Sequence, residues 1–284
     1  MYQNDIVPGL LEAIRKEIAK LLDDDKKLVK LRELLKSGSG DWQTAQDGLS
    51  LIGKHISEVL LNNITAEGLP NSRMYWNIAR RILTPVLQDG YETASELALQ
   101  AQTIANRMAR IDIKAQKADF NADKLEGLIV RLSQEEDFEN IRWILGASVE
   151  NFIQSIADDT VEKNVKFHYE SGLSLVISRT TDGKCCEWCS KLTGTYPYRP
   201  DMDGEVFRRH KNCGCLVAYY PNSKAKVGQD VWSKQRNVTG QEKLLKKRQG
   251  RQAEEKPVEQ TVKTMKNLSK RSPTCFTPKK ILPR

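Results

Sequence analysis

Apolar residues Leu11, Ile14, Ile18, Leu21, Leu28, Leu31 and Leu35 recur at steps of mostly three or four, which predicts one amphipathic helix closed by the small residues of Ser37-Gly38-Ser39-Gly40. Asp41 is a fitting N-cap for a second helix carrying Ala45, Leu49, Ile52, Ile56 and Val59 on one face, with His55 at its margin as an ordinary surface or boundary residue. A turn at Leu69-Pro70-Asn71-Ser72 leads to a third helical run, in which Pro85 removes a backbone donor and is expected to kink or interrupt the helix. Met74, Tyr75 and Trp76, at helical spacing, read as core and not as a ligand box. Residues 91–118 read as another long helix. Ser133-Gln134-Glu135-Glu136 has the form of a capping box ahead of Phe138, Ile141, Leu145, Phe152 and Ile156. That places Glu135, Glu136, Asp137 and Glu139 in a first turn, where the helix dipole favours them.

After Gly172 the period changes to two: Leu173, Leu175 and Ile177 alternate with Ser174 and Ser178, the pattern of a strand. Thr195–Tyr198 and Leu216–Tyr220 are further short strand candidates. The fold class expected is therefore α+β, with a mainly helical region over 1–170, a small β-containing module over 171–221 and a flexible basic tail over 222–284. The tail has one helical pattern near 241–252 and too few apolar residues to pack a core of its own.

Charge sharpens that division. The chain carries +8 in total, yet residues 221–284 hold 17 Lys and Arg against 5 Asp and Glu, leaving 1–220 at −4. A tail of +12 suits a polyanion such as nucleic acid, or is simply solvated. Trp232 and Phe276 are its only aromatics, so contacts to DNA would be made to phosphates and not by base stacking. The first residues mix Asp and Glu with apolar positions, and no apolar run reaches about 18 residues, so neither a secretory signal nor a membrane partner is expected. In a reducing compartment, clustered cysteines more often bind metal or do chemistry than form disulfides.

Five of the six cysteines and one of the three histidines fall between 185 and 215. The order is Cys186-x2-Cys189-x20-His210-x2-Cys213-x-Cys215, with Cys185 as a spare neighbour and Cys275 alone in the tail. Zinc takes four S or N ligands in a tetrahedron, and a Cys-x-x-Cys turn supplies two. Cys186 and Cys189 are that pair, while His210, Cys213 and Cys215 are three candidates for two remaining places. Side chains of a Cys-x-Cys step share a face if the segment is extended, so both can reach one ion. The cofactor expected is Zn²⁺. A deaminase needs His-x-Glu followed by Pro-Cys-x-x-Cys, and here the Cys-x-x-Cys comes first. His-Glu-x-x-His and GxxxxGK[ST] are also absent. An enzymatic alternative remains, a zinc-dependent nucleic-acid-processing enzyme using His210 with Asp201, Asp203 or Glu205, though RPDMDGE is a sequence that readily builds turns.

The runs KFHYESGLSLVISRTTDGKCCEWCSKLTGTY and EVFRRHKNCGCLVAYYP resemble the C-terminal region of the phage head morphogenesis family, the Mu protein F-like minor capsid proteins. That family shows a strand with an Arg, a Cys-x-x-Cys, a Leu-x-Gly step, and a His-x-x-Cys-x-Cys leading into a strand. The matching positions are Arg179, Cys186 and Cys189, Leu192 and Gly194, then His210, Cys213 and Cys215. Gly214 stands where many relatives carry Arg. The upstream run LPNSRMYWNIARRILTPVLQDGYE is similar to the helical part of the family's Gram-positive phage branch, so the likeness spans about 70–220. The resemblance implies a non-enzymatic structural protein, few in copy, inside the phage head near the portal. Its partners would be portal and other capsid or scaffold proteins, with phage DNA reached through the basic tail. It would reside in the virion, and in the host cytoplasm during assembly.

Overall fold

The computed structural model describes residues 5–181, 186–202, 204–210 and 213–221, all within one compact unit, Met1–Val227. Cys185, Asp203, Cys275 and the whole basic tail, with the helix expected near 241–252, lie outside the described residues. Seven α-helices and a three-stranded antiparallel sheet make up the described fold, which is α+β as the patterning predicts.

The first expected helix is two. Helix α1, Val7–Asp24, ends where Asp25 turns extended, and α2, Lys26–Lys36, starts from it. The Asp25 carboxylate accepts from the amides of Lys27 and Leu28 at 2.8 and 3.0 Å, so it caps α2, and His55 Nε2 lies 2.7 Å from its other oxygen. His55 is thus the partner that holds the break in place. Its hydrogen bond, ahead of the capping amides, keeps the Asp25 carboxyl below its ordinary value. Helix α3, Trp42–Asn63, begins as expected at Asp41, which forms a reciprocal capping box with Thr44. Gly53 of α3 meets the backbone at Glu150, where an added Cβ would stand 3.1 Å from the Glu150 Cα, so a larger residue there would push the two segments apart by a few tenths of an ångström.

Pro85 does not interrupt its helix: α4 runs unbroken from Trp76 to Met108. Ile82, Leu83, Val86 and Leu87 on either side are buried, and that burial offsets the roughly 3 kcal/mol that an interior proline costs. The exposed Arg81 is the residue whose carbonyl loses its donor. The helix also stops ten residues before the expected 118. Arg110 adopts φ 56, and the amides of Arg110 and Ile111 return to the carbonyls of Arg107 and Asn106, a Schellman closure made without glycine. Side chains then hold the chain extended beyond it. Asn106 Nδ2 donates to the Ile113 carbonyl at 2.8 Å, Asn164 exchanges two bonds with the Gln116 backbone at 2.8 and 2.7 Å, and Tyr91 Oη donates to the Ala118 carbonyl. Met74 is fully buried, Tyr75 packs partly buried against the core, and Trp76 is 42% exposed, so the core reading fails for Trp76.

The capping box expected at Ser133 is absent. Helix α5, Ala122–Gln134, runs through it, capped by Asn121 and buried along Leu125, Ile129 and Leu132. Ser133 Oγ donates back to the Val130 carbonyl instead. That apolar stripe lies upstream of the serine and decides the element. Phe138–Asn140 and Arg142–Leu145 are single 3₁₀ turns, and the next helix, α6, spans Ala147–Glu170 from Gly146. The carboxylates therefore belong to a connection, with Glu139 inside its first 3₁₀ turn, and not to the first turn of an α-helix.

Gly172, at φ 86, closes α6 with the amides of Gly172 and Leu173 bonded back to Tyr169 and His168, and launches β1, Leu175–Thr180. The short helix α7, Glu187–Leu192, precedes β2, Gly194–Pro197, and β3 is Leu216–Pro221. Both outer strands pair antiparallel with β1, with Ile177 opposite Tyr196 on one side and Tyr219 on the other. Leu175, Ile177, Val217 and Tyr219 join the same core as the helices, so sheet and helical body share one hydrophobic interior.

A buried polar chain runs through that junction. Gln102 Nε2 donates to Asn106 Oδ1 and to Tyr219 Oη, both at 2.6 Å, and the Tyr219 hydroxyl meets His168 Nδ1 at 2.9 Å. Tyr219 accepts from Gln102 and keeps its own proton to offer to His168 Nδ1, a bond that a neutral imidazole allows. Burial holds His168 below its ordinary value and pushes Asp159, on the same helix, up to about 6. The two titrate with opposite effect. Below about pH 6.5 the unfolded chain takes the histidine proton first, so the His168 contribution is whole above that pH and is lost as pH falls through its depressed folded value. Between about 6 and 3.8 the folded chain instead takes the extra Asp159 proton, which favours folding on acidification. His168→Gln should flatten the loss of denaturant midpoint just below pH 6.5, and Asp159→Asn should steepen the loss at lower pH. Curves parallel to wild type in both variants would remove this account.

Candidate metal centre

Cys186 is the N-cap of α7, and its sulfur accepts from the Cys189 amide at 3.4 Å, the local geometry by which a Cys-x-x-Cys turn points two sulfurs the same way. His210, after the 3₁₀ turn Gly204–Phe207, brings Nε2 to 2.8 Å from Cys189 Sγ and 3.2 Å from Cys186 Sγ. Cys213 and Cys215 enter from the other side as the chain approaches β3. Cys213 Sγ is 3.6 Å from Cys189 Sγ. The five residues form two overlapping groups, Cys186–Cys189–His210 and Cys189–Cys213–Cys215, each with its ligand atoms within 4.8 Å of one another. Cys189 belongs to both. The structure thus brings all five candidate ligands together, and no Asp or Glu joins either group among the described residues.

Burial grades across the cluster: Cys189, Cys213 and Cys215 are buried, whereas Cys186 is exposed. Three buried thiols cannot all ionise. The hydrogen bond from Cys215, more than the nearby Arg209 charge, brings the Cys213 thiol down to about 4, while burial pushes Cys189 up to about 11 and the bond to Cys213 drives Cys215 upward too. A dication in their midst would deprotonate the thiols that bind it. The donor set, all sulfur and imidazole nitrogen, fits a soft or borderline metal and excludes a calcium- or magnesium-type oxygen cage.

Two buried arginines frame the cluster. Arg179 is 1% exposed; its Nη1 donates to the carbonyls of Val206 and Arg208 at 2.6 and 2.8 Å, and its Nη2 points at the sulfurs of Cys189 and Cys213 at 3.6 and 3.8 Å. Trp188 lies beneath that guanidinium at 5.5 Å and edge-on to the His210 ring. Arg209 forms a bidentate pair with Asp158 of α6 at 2.7 and 3.0 Å, both side chains 2% exposed. It also donates to the carbonyls of Cys213 and Cys215 at 2.7 and 2.9 Å. Arg209 therefore pins the Cys-x-Cys segment to the helical body by its backbone. Sequence reading missed Arg209 and Asp158, since Arg209 lies in a basic Arg208-Arg209-His210 run and Asp158 beside Asp159, which both read as solvated charge. For Arg179 a signal existed: it continues the buried face of Leu175 and Ile177 at period two.

No family model matches the chain, and comparison with curated proteins and with solved structures gives no match. The likeness to the head morphogenesis family rests on the residues quoted for it. Among the described residues, no helix is long and apolar enough to cross a membrane.

Proposed function

We propose that the chain is a structural protein of a phage head, a minor capsid protein of the Mu F-like kind, whose Cys/His centre holds one Zn²⁺ as an internal cross-link. The phage-head role is carried by the resemblance in sequence alone, and the zinc cross-link by a cluster built entirely of sulfur and imidazole donors and anchored through Arg209 and Asp158 to the helical body. Closed N/S sites serve structure; hydrolytic ones keep a position open for water. Cys186, Cys189 and His210 would hold the ion, with Cys213, 3.6 Å from the Cys189 sulfur, taken as fourth ligand and Cys215, in the same group with Cys189 and Cys213, as its competitor. The zinc supplies a cross-link between α7, the His210 segment and the approach to β3. The nuclease alternative fares less well: His210 Nε2 faces two sulfurs, and Glu205 is paired with Arg208 at 3.1 Å.

Helices of the first 170 residues would offer surfaces to portal, capsid or scaffold proteins, and the basic tail would contact phage DNA. The deciding experiment is co-purification with portal protein from procapsids, together with mass-spectrometric detection in mature virions. Detection in both carries the reading, and absence from both overturns it. Metal-dependent DNA cleavage abolished by His210→Ala would favour the enzyme instead. For the tail, binding to duplex DNA should be sequence-tolerant and weaken steeply between about 50 and 200 mM salt. A chain truncated at Pro221 should lose it. Equal binding by the full and truncated chains at low salt would exclude the tail as the DNA contact.

A further inference from the structure

We propose that Arg179 is the outer-sphere cation of the metal centre: its guanidinium donates N–H···S hydrogen bonds to the Cys189 and Cys213 thiolates, balancing their charge and damping their reactivity. The inference rests on the metal reading above and goes beyond it by assigning a residue that is not a ligand.

Arg179 lies on the core face of β1, in phase with Leu175 and Ile177, at a position where the pattern calls for an apolar side chain. A guanidinium cannot be deprotonated in a protein, so its charge is buried with it. No ion pair of Arg179 with a carboxylate is found among the described residues. Asp158, the nearest buried acid, is engaged bidentately by Arg209. The partners of Arg179 are two carbonyls and two sulfurs, and only the sulfurs can carry charge. Three cysteinate ligands and one histidine around a dication leave the centre at a net charge of −1, and one buried cation cancels it. The carbonyls of Val206 and Arg208 fix Nη1, which aims Nη2 at the two sulfurs across N···S distances of 3.6 and 3.8 Å, ordinary for donors to so large an acceptor. Arg179 is thereby a positioning residue that ties β1 to the centre. The arrangement also explains Trp188, whose ring face covers the guanidinium and screens it from water.

Hydrogen bonds to a metal thiolate lower the electron density on sulfur, so their loss should show in metal affinity, in spectra and in reactivity. In the full-length chain, Arg179→Met should weaken Zn²⁺ binding about tenfold to a hundredfold in competition with a chromophoric chelator. The cobalt-substituted protein should show its sulfur-to-metal charge-transfer bands moved to lower energy, and its thiolates should alkylate faster with iodoacetamide. Arg179→Lys, which keeps the charge, should recover part of the affinity. A merely structural arginine would leave the charge-transfer energy unchanged, and that result overturns the proposal. If Arg179→Met does not fold, the wild-type protein decides: with cadmium bound and arginine nitrogens labelled, NMR should show coupling between the metal and the Arg179 Nη protons through sulfur. No coupling to those protons would overturn it. If the wild-type chain takes up neither zinc, cobalt nor cadmium, the metal reading itself falls, and this inference falls with it.

Discussion

Replacing Asp158 by Ala is expected to destabilise the folded chain by about 3–5 kcal/mol, the usual consequence of stripping one partner from a buried ion pair. Both side chains are 2% exposed, so the Arg209 guanidinium left behind could not recover its hydration. Burial pushes the Asp158 carboxyl up and Arg209 pulls it back, and the bidentate contacts of 2.7 and 3.0 Å are those of an ionised pair. Arg209→Met removes the opposite partner and also strips two donors from the Cys213 and Cys215 carbonyls, so its cost should be similar and should extend to metal affinity. The double replacement, Asp158→Ala with Arg209→Met, should be milder than the sum of the single ones, because neither charge then remains buried alone. Urea denaturation of the four proteins gives the coupling directly. A loss under about 1 kcal/mol for Asp158→Ala would mean that water reaches the pair and that the clamp is not what joins the centre to α6.

How much of this was visible in the chain depends on which force set each feature. Elements defined by a buried stripe were legible. Leu49, Ile52, Ile56 and Val59 gave α3 with its Asp41 cap, and Leu175 and Ile177 gave β1. That the five cysteine and histidine side chains gather in one cluster was legible too, because their spacing in the chain is local. Boundaries set by long-range polar contacts were not. Asp25 caps α2 locally, but its carboxylate is also held by His55, thirty residues on, which no local pattern announces. The end of α4 is made by an arginine in the left-handed region and by asparagine side chains that bond to the backbone of the segment that follows, none of which is a stop signal in the usual sense. At Ser133 a real local motif lost to the apolar stripe of Leu125, Ile129 and Leu132 upstream. Arg209 and Asp158 show the same limit at the site. Charged residues beside other charges read as surface until the fold reveals which of them face inward.

Cys189→Ser should have the largest effect on the centre, since its sulfur is common to both ligand groups and is fully buried. Metal analysis after purification under reducing conditions should find one Zn²⁺ per wild-type chain and none in this variant. Cys186→Ser, His210→Ala and Cys213→Ser should also lose tight binding, whereas Cys215→Ser should retain it. Reversal of the last two results would exchange Cys213 and Cys215 as fourth ligand. A structural zinc supplies binding free energy on the order of 10 kcal/mol, all of it coupled to the fold that assembles its ligands. The segments that such a zinc would cross-link are short: α7 has six residues and the 3₁₀ turn ahead of His210 has four. Yet β1 and β3 pack into the interior shared with the helices through Leu175, Ile177, Val217 and Tyr219. Removing the metal should therefore unfold the chain in stages. Amide exchange should rise first across 186–215, then along β1 and β3 and the end of α6 near His168, while α1 to α3 keep their protection. Uniform loss of protection across all seven helices would show instead that the metal holds the whole unit as one cooperative fold, and no change anywhere would show that the cluster does not depend on a metal at all.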